Sequence, residues 1–351
     1  MSAFEQWLDQ AATRGPDRVI PSSVAIAVTK DANDIHLLQL LENGLVDLDA
    51  DVSSVLPELA DPEVFLKFND AGEPTYEKAI KKITIRMLLT HQSGVGYDFF
   101  QPYIQQIRDF KEKAGESVSS KLTWESKLNP LLAQPGKEWS YGSSYELLGR
   151  LIERLAHTSL GSYMQTHIWT PLSMSPISFS LSDATLRAPD DSLLPAPNHF
   201  YPGGMEFDSG GAGLFAAPSA YGKLLAAILR DDRTLLRPET MAMLFEPQLS
   251  PEVQIYFDAS VYAEGGEVLS QSLPREAKLT QALGGGVCQA DVEGRRRSGT
   301  LLWAGLANCY WSVDRVKGVA LFWGSQVMPT SDRGVLDGFR RFEEGVYGGL
   351  D

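Results

Sequence analysis

The C-terminal part of the chain constrains the fold most strongly. Three apolar segments follow one another at Thr300–Trp303, Asn308–Val313 and Gly318–Gln326, with a turn at Asp314–Gly318 between the last two. Short runs of branched and aromatic residues separated by turn residues are typical of antiparallel strands. The segment Asp332–Tyr347 then repeats its apolar residues at helical spacing. The sequence therefore predicts an antiparallel sheet that packs against a C-terminal amphipathic helix.

The remainder of the chain is predicted to be mostly helical. An amphipathic helix is expected at Phe4–Ala12, and another from about Thr29 to Asn43, where Gly44 can cap it. Four further segments have helical spacing: Ile85–Leu89, Ser144–Ala156, Tyr163–Trp169 and Pro218–Leu229. Segments 186–204 and 247–283 are rich in proline, glycine and polar residues and predict loops or insertions.

The order of these elements favours an α+β fold with an inserted domain. In this interpretation an antiparallel β-sheet is flanked by the N- and C-terminal helices. Residues 1–50 and 284–351 form the sheet domain, and residues 51–283 form the mostly helical domain. We expect an active-site cleft between the two domains.

Composition limits the partners and the compartment. The chain has 351 residues and a formal net charge of −14, which argues against nucleic acid and anionic membranes as partners. It has no apolar run of about 18 residues and no signal-peptide pattern, so we expect no membrane span and a cytoplasmic location. Cys288 and Cys309 are predicted to be reduced, the five histidines form no metal motif, and no metal or cofactor is expected.

The segment Ala27-Val28-Thr29-Lys30 has the spacing of a reactive Ser-x-x-Lys pair, with alanine in place of serine. On a helix, residues three apart share a face, so a lysine amine there can take the proton of a serine hydroxyl. Ala27 carries no oxygen and cannot be a nucleophile. The alternative is that residues 19–30 form a strand, in which case the whole Ser-x-x-Lys segment is missing.

Tyr141-Gly142-Ser143 is the second candidate site. It follows Pro135-Gly136 and comes directly before the predicted helix Ser144–Ala156. A tyrosine displayed at the head of a helix is well placed to relay a proton. The alternative is a buried aromatic anchor that is hydrogen-bonded through its hydroxyl.

Three other segments have weaker signals. His91 and Ser93 lie together at a helix exit, where a structural role in fixing loop carbonyls is favoured. The glycines of Ser209–Leu214 favour close backbone packing. The backbone of Trp303-Ala304-Gly305 can supply half of an oxyanion hole or simply form a core strand. Arg295–Arg297 is predicted to be a solvated turn.

These motifs, in this order, resemble the serine β-lactamase and penicillin-binding-protein superfamily, in its class C-like esterase branch. The resemblance runs from about residue 20 to the end of the chain. The segments that carry it are AVTKDANDIHLLQLLENGLVDLDADVSSVLPEL, LLTHQSG, QPGKEWSYGSSYELLGRLIE, SGGAGLFAAPSAYGKLL and GRRRSGTLLWAGLANCYWSVD. It implies a β-lactamase/transpeptidase-like fold.

The resemblance also assigns roles to residues. It implies Lys30 as general base, Tyr141 as catalytic tyrosine and Ala27 at the position of the missing nucleophile. The segment Trp303-Ala304-Gly305, together with Ser143 and Gly211, is implied in substrate binding. The family has a strand pair between its first helix and the Ser-x-x-Lys helix, which the short stretch Gly15–Ile26 cannot hold. The N-terminal strand pair is therefore expected to be shortened or absent.

Three functions remain open at this point. The first is an acyltransferase or esterase of polyketide secondary metabolism that acts on a small ester or on an acyl thioester, free or bound to a carrier protein. The second is a Lys30- and Tyr141-dependent isomerase or cyclase on a natural-product intermediate. The third is a non-catalytic ligand-binding pseudoenzyme.

Overall fold

The structure is a computed structural model that describes residues 24–29, 37–98, 101–116, 118–119, 123–179, 185–187, 193–195, 205–231, 233–325, 327 and 330–350. These residues belong to two compact units. Unit 1 takes them from Met1–Gly44, Thr170–Met174 and Ala217–Asp351, and unit 2 from Leu45–Trp169 and Ser175–Ala216. The predicted boundaries differ from this division, because residues 217–283 belong with the sheet rather than with the helical domain.

The described strands are, in chain order, β1 Val24–Thr29, β2 Glu63–Phe68, β3 Pro74–Lys78, β4 Ile177–Ser178, β5 Thr185–Arg187, β6 Leu193–Pro195, β7 Phe215–Ala216, β8 Leu279–Gln281, β9 Gly286–Cys288, β10 Leu301–Gly305, β11 Cys309–Asp314 and β12 Val319–Gly324. The described α-helices are α1 Leu37–Glu42, α2 Ile85–Leu89, α3 Pro102–Lys113, α4 Ser144–Ala156, α5 Leu160–Met164, α6 Pro218–Arg230, α7 Pro238–Met243, α8 Pro251–Val261, α9 Glu267–Ser270 and α10 Arg333–Gly348. Of the predicted helices, α2 and α4 are confirmed with the predicted bounds.

The main sheet of unit 1 has the strand order β1-β12-β11-β10-β9-β8. The three C-terminal strands predicted from the sequence are confirmed, and each pairs antiparallel with its neighbour. The fold class is likewise confirmed as α+β. The predicted helix Phe4–Ala12 lies outside the described residues.

The core of unit 1 lies between this sheet and α10. The ring of Phe339 is fully buried and lies 5.2 Å from the ring of Tyr310 on β11. The ring of Trp323 on β12 is 5.9 Å from the ring of Phe342. Burial of a phenylalanine side chain is worth roughly 1.5–3 kcal/mol, so these contacts hold the helix on the sheet. The predicted amphipathic C-terminal helix is confirmed.

Of the three arginines predicted to lie in a solvated turn upstream of β10, Arg297 is partly exposed and pairs with Asp291, whereas the other two are not solvated. Arg295 and Arg296 are buried, and both guanidinium groups pair with the carboxylate of Glu343 on α10. Arg296 also donates a hydrogen bond of 2.6 Å to the side-chain oxygen of Gln271. The arginine run therefore joins the sheet to the C-terminal helix, which a run of charges in the sequence does not reveal.

The predicted start of a helix at about Thr29 is wrong, because Thr29 belongs to a strand. Val24–Thr29 forms β1, and Ala27 pairs with Leu321 in a continuous antiparallel ladder with β12. Alternating branched residues suit a strand, and six pairs with a buried neighbour outweigh a local helical preference. Residues 30–36 of the predicted helix lie outside the described residues, and Leu37–Glu42 forms α1. The predicted shortening of the N-terminal strand pair stays a prediction, because residues 1–23 also lie outside the described residues.

The segment 247–283 is not the predicted loop. It contains α8, α9 and β8, and Ser250 caps α8 by accepting a hydrogen bond from the backbone of Val253. Proline at the first helical position after a serine cap is a start signal for a helix. The segment therefore belongs to the packed part of unit 1.

Unit 2 consists of α2 to α5, the hairpin β2–β3 and the small sheets β4–β7 and β5–β6. Helix α4 is the longest of its described helices, and Leu147, Leu148 and Leu151 on one of its faces are buried. A π-helical turn continues α5 over Gln165–Trp169, within the predicted helix Tyr163–Trp169. These helices hold the loops in which Tyr141 and Ser209 lie.

Candidate functional site

Tyr141 lies in a loop that is hydrogen-bonded to the exit of α2. The backbone N–H of Ser140 donates to the carbonyl oxygen of His91 over 2.8 Å, and that of Gly136 donates to the carbonyl of Gln92 over 2.8 Å. The sequence predicted that His91 has a role in fixing loop carbonyls, and its own carbonyl fixes this loop. The segments LLTHQSG and QPGKEWSYG thus form one local structure, although about 40 residues separate them in the chain.

Gly142 is packed directly against the backbone of the loop after α2. A Cβ atom at this position would lie 2.1 Å from the carbonyl oxygen of Val95 and 2.6 Å from the Cα of Gly96. Such distances are far below van der Waals contact, so only glycine fits without a backbone shift. This close approach fixes the position of Tyr141 along the chain.

The ring of Tyr141 is half-buried in a set of aromatic rings. Its centroid lies 4.8 Å from that of His91, 5.4 Å from that of Tyr97 and 6.3 Å from that of Trp139. The first two pairs are edge-to-face and the third is stacked, which are the favoured arrangements of aromatic pairs. We call His91, Tyr97, Trp139 and Tyr141 the aromatic cluster. It holds the tyrosine ring in one orientation while leaving part of it accessible.

The groups around Tyr141 are held neutral by burial. The His91 side chain is 1% exposed, and burial lowers the pKa of its imidazole to about 3. Burial also raises the pKa of Tyr145 to about 12, and the Tyr145 hydroxyl donates a hydrogen bond of 3.2 Å to the carbonyl of Leu89. Desolvation disfavours the charged form of each group. At neutral pH, His91 therefore contacts Tyr141 as an uncharged ring.

One carboxyl group behind the aromatic cluster is buried. Glu146, on the first turn of α4, is 1% exposed, and the hydroxyl of Tyr97 lies 2.9 Å from both of its oxygens. The Ser209 hydroxyl donates a further hydrogen bond of 3.2 Å. Burial raises the pKa of Glu146, against the opposing effect of these hydrogen bonds and of the charge of Lys127. No sequence pattern indicated this buried carboxyl group, since an acidic residue in the first turn of a helix is ordinarily solvated.

Gly211 lies against the same carboxyl group. A Cβ atom there would be 2.5 Å from Glu146 Oε2 and 2.6 Å from the Tyr97 hydroxyl. At the preceding residue, a Cβ atom on Gly210 would be 2.4 Å from the carbonyl oxygen of Tyr145. The glycines of the Ser209–Leu214 loop thus permit close packing on α4, as the sequence predicted.

Ser143 is buried at the start of α4, 1% exposed, and its hydroxyl has no hydrogen-bond partner among the described residues. The neighbouring Ser144 hydroxyl is 3.1 Å from that of Ser93. A buried hydroxyl without a partner is unusual, because desolvation costs about 1–3 kcal/mol. Ser143 therefore remains a candidate for binding a polar atom of a ligand.

The other predicted site residues lie in unit 1 or outside the described residues. Trp303, Ala304 and Gly305 are in β10, opposite Trp311, Tyr310 and Cys309. The carbonyl oxygen of Trp303 accepts a hydrogen bond of 2.6 Å from the side chain of Gln271. Ala27 is in β1, and Lys30 lies outside the described residues. The structure thus links Tyr141, Ser143 and Gly211 in one local cluster of unit 2.

The helix argument for a pair at Ala27 and Lys30 does not hold. Ala27 lies in β1, Val24–Thr29, and Lys30 lies outside the described residues. The placement of position 27 on the first turn of a helix was therefore wrong.

Neither a metal centre nor a membrane span is found in the part of the chain that the structure describes. No cluster of three or more histidine, cysteine, aspartate or glutamate side chains occurs there with a geometry for a metal ion. Within the same residues, no helix is both long and apolar enough to cross a bilayer.

Comparison with known proteins gives consistent matches over nearly the whole chain. Residues 35–344 match the family described as Beta-lactamase, a match that begins downstream of Ala27 and Lys30. Monacolin J acid methylbutanoyltransferase of Aspergillus terreus is 32% identical over 336 residues, which cover 92% of this chain and 80% of that protein. Lovastatin esterase of Penicillium rubens is 31% identical over 334 residues, with 92% and 84% covered.

The fold of a solved relative agrees with these matches. A mutant form of simvastatin synthase from Aspergillus terreus superposes with a TM-score of 0.84 at 28% identity, covering 99% of this chain and 96% of that chain. A transferase and an esterase match the sequence at nearly equal identity. Overall similarity therefore does not separate acyl transfer to an alcohol from hydrolysis.

Proposed function

The chain belongs to the beta-lactamase family, and we propose on that basis that it is an acyltransferase or esterase acting on a small ester or acyl thioester in polyketide secondary metabolism. The observation that carries the proposal is the fixed Tyr141, half-buried and held by three neighbouring rings at the head of α4. The similarity to a methylbutanoyltransferase and a lovastatin esterase supports acyl chemistry on such substrates.

In the proposed reaction Tyr141 moves a proton. An oxygen nucleophile attacks the acyl carbonyl, and the bond to the leaving alcohol or thiol breaks as that group gains a proton. The Tyr141 phenol both donates and accepts, so it can deliver this proton and recover one from the attacking hydroxyl. The neutral ring of His91 beside it adds no charge that would compete for the proton. Ser143 and Gly211, which lie in the same unit as Tyr141, are assigned to substrate contacts. The oxyanion role that the family resemblance gives to the backbone of Trp303–Gly305 stays a prediction.

The identity of the nucleophile is the open part of this function. Ala27 is in β1, and the seven residues that join β1 to α1, KDANDIH, contain no serine, threonine or cysteine. This observation favours a second candidate function, in which the chain binds an acyl ligand without turning it over. The isomerase alternative depends on Lys30, which lies outside the described residues, and it stays a prediction.

The test compares the unaltered chain with Tyr141→Phe and a control, Tyr256→Phe. Tyr256 is an exposed residue on α8, so its hydroxyl is removed without touching the aromatic cluster. The assays are hydrolysis of p-nitrophenyl butyrate and acyl transfer from a butanoyl thioester of N-acetylcysteamine. For an acyltransferase or esterase, we expect Tyr141→Phe to lower kcat by about 10²–10⁴ with little change in KM, and the control to match the unaltered chain.

Two other results are informative. If the unaltered chain shows no turnover but binds a non-reactive butanamide analogue, and Ser143→Ala weakens that binding, the second candidate replaces the first. If it neither turns over nor binds any acyl compound tested, both candidates are wrong. Because position 27 is in a strand, Ala27→Ser is expected to gain no activity. A burst of p-nitrophenol from that variant would contradict the strand assignment.

A further inference from the structure

We propose that Glu146 is a positioning residue for Tyr141, acting through Tyr97, and that the same carboxyl group holds the Ser209–Gly211 loop against α4. This inference rests on the proposed function in one respect, namely that Tyr141 is the proton relay. It adds a residue that neither the sequence motifs nor the family resemblance singled out.

The first link joins Glu146 to Tyr97. The Tyr97 hydroxyl lies 2.9 Å from Glu146 Oε1 and 2.9 Å from Oε2, so the phenol is centred on the carboxyl group. Both side chains are buried, and a hydrogen bond in such a low-dielectric site is stronger than in water. The position of the Tyr97 ring is therefore set by Glu146 rather than by packing alone.

The second link joins Tyr97 to Tyr141. Their ring centroids are 5.4 Å apart at an interplanar angle of 66°, an edge-to-face contact. Rotation of the Tyr97 ring would remove one of the three ring contacts that orient Tyr141. A displacement of about 1 Å in a reacting group can lower the rate about 10²-fold, so loss of the Tyr97 contact is expected to slow proton transfer by Tyr141.

The third link joins the same carboxyl to the glycine loop. Ser209 donates to Glu146 Oε1 over 3.2 Å, and Gly211 leaves no room for a Cβ atom between its backbone and Glu146 Oε2. The Glu146 carboxyl group thus contacts both the segment that carries Tyr97 and the Ser209–Gly211 loop. A leucine would fill a similar volume, but it would leave the hydroxyls of Tyr97 and Ser209 without this acceptor.

The test places a fluorine probe on Tyr141 in the chain as it exists. The protein is made with 3-fluorotyrosine at position 141 and its ¹⁹F resonance is recorded in the unaltered background, in Glu146→Leu and in Glu146→Gln. A second preparation carries 3-fluorotyrosine at the exposed position 256 as control. In the unaltered background we expect one narrow line from position 141. In Glu146→Leu this line is expected to broaden or split. In Glu146→Gln it is expected to be narrow again, because the amide oxygen still accepts a hydrogen bond from Tyr97. The line at position 256 is expected to be unchanged.

The outcomes separate this inference from the proposed function. If the Tyr141 line keeps its shift and width in a folded Glu146→Leu protein, the inference is overturned, whatever the activity. If the line broadens in a chain that shows no acyl turnover, the positioning link stands and the relay role fails. Where turnover is present, we expect Glu146→Leu to lower kcat by about 10- to 100-fold at unchanged KM, and Glu146→Gln to recover most of it. A rise in KM with unchanged kcat would contradict a role of Glu146 in positioning Tyr141.

Discussion

The neutral, buried His91 makes the stability of the protein depend on pH in a defined direction. An ordinary histidine has a pKa of 6.5, whereas burial lowers that of His91 to about 3 in the folded protein. Below pH 6.5 the unfolded chain therefore binds a proton that the folded chain excludes, and the free energy of unfolding falls as the pH falls. The fall continues to about pH 3, where the folded protein takes up the same proton.

The magnitude follows from the two pKa values. One pH unit within this window corresponds to about 1.4 kcal/mol, so between pH 7.5 and pH 4.5 protonation linked to His91 lowers the free energy of unfolding by about 3 kcal/mol. Above pH 6.5 its contribution is constant. For a domain with an unfolding free energy of about 5–15 kcal/mol, this is a large part of the total.

The assay is urea unfolding followed by tryptophan fluorescence at pH 7.5, 6.5, 5.5 and 4.5. The perturbation is His91→Asn, because the backbone at this residue has a φ of 54°, a left-handed conformation that asparagine tolerates. A matched control is His157→Asn, since His157 is exposed and has a φ of 53°. We expect the difference in unfolding free energy between the unaltered chain and His91→Asn to shrink by about 3 kcal/mol from pH 7.5 to pH 4.5.

A flat difference over this range would refute the reasoning, because it would mean that His91 gains its proton equally in both states. The control variant is expected to follow the pH profile of the unaltered chain. If His157→Asn changed the slope as much as His91→Asn, the effect would belong to loss of any histidine and not to burial.

Three further variants probe the packing on which both units depend. Glu343→Gln is expected to lower the free energy of unfolding by about 3–5 kcal/mol in urea titrations, because it leaves the buried charges of Arg295 and Arg296 without their carboxylate. A loss of stability smaller than that of a surface variant would contradict this ion pairing. Phe339→Ala should cost about 3–5 kcal/mol, measured in the same way, because it opens a cavity between α10 and the sheet. Gly142→Ala is expected to cost about 1–3 kcal/mol, since the new methyl group meets backbone 2.1 Å away. In the control variant Gly348→Ala the new methyl group enters open space, so the melting temperature is expected to stay nearly unchanged.

Regular apolar patterns in the sequence predicted the parts of the fold that depend on local periodicity. The helices α2 and α4 and the strands β10 to β12 repeat their apolar residues at 3.6- or 2-residue spacing, and each was found where the pattern placed it. The helix α8 was missed, because Ile255 and Tyr256 are exposed and blur its apolar face.

Non-local contacts account for the parts that the sequence could not show. The strand β1 is identified by its pairing with β12, nearly the whole chain away, while its local spacing imitates a Ser-x-x-Lys helix. The burial of Glu146 likewise depends on Tyr97 and Ser209, which approach it from distant segments. The position of Tyr141 in a loop before α4 could be predicted because a Pro-Gly pair and a strongly periodic helix flank it in sequence, whereas its catalytic role stays a prediction.

The pairing of β1 with β12 also bears on the order in which the polypeptide acquires structure during synthesis. Unit 2 is almost contiguous in the chain, so it can fold while later residues are still being translated. The sheet of unit 1 joins the strand Val24–Thr29 to a strand that ends at Gly324, and one of its faces is covered by α10, which follows in the chain at Arg333–Gly348. The strand β1 therefore has no partner among the described strands until β12 has been synthesised. Contacts of such high sequence separation form slowly, so unit 1 is expected to set the folding rate of the protein.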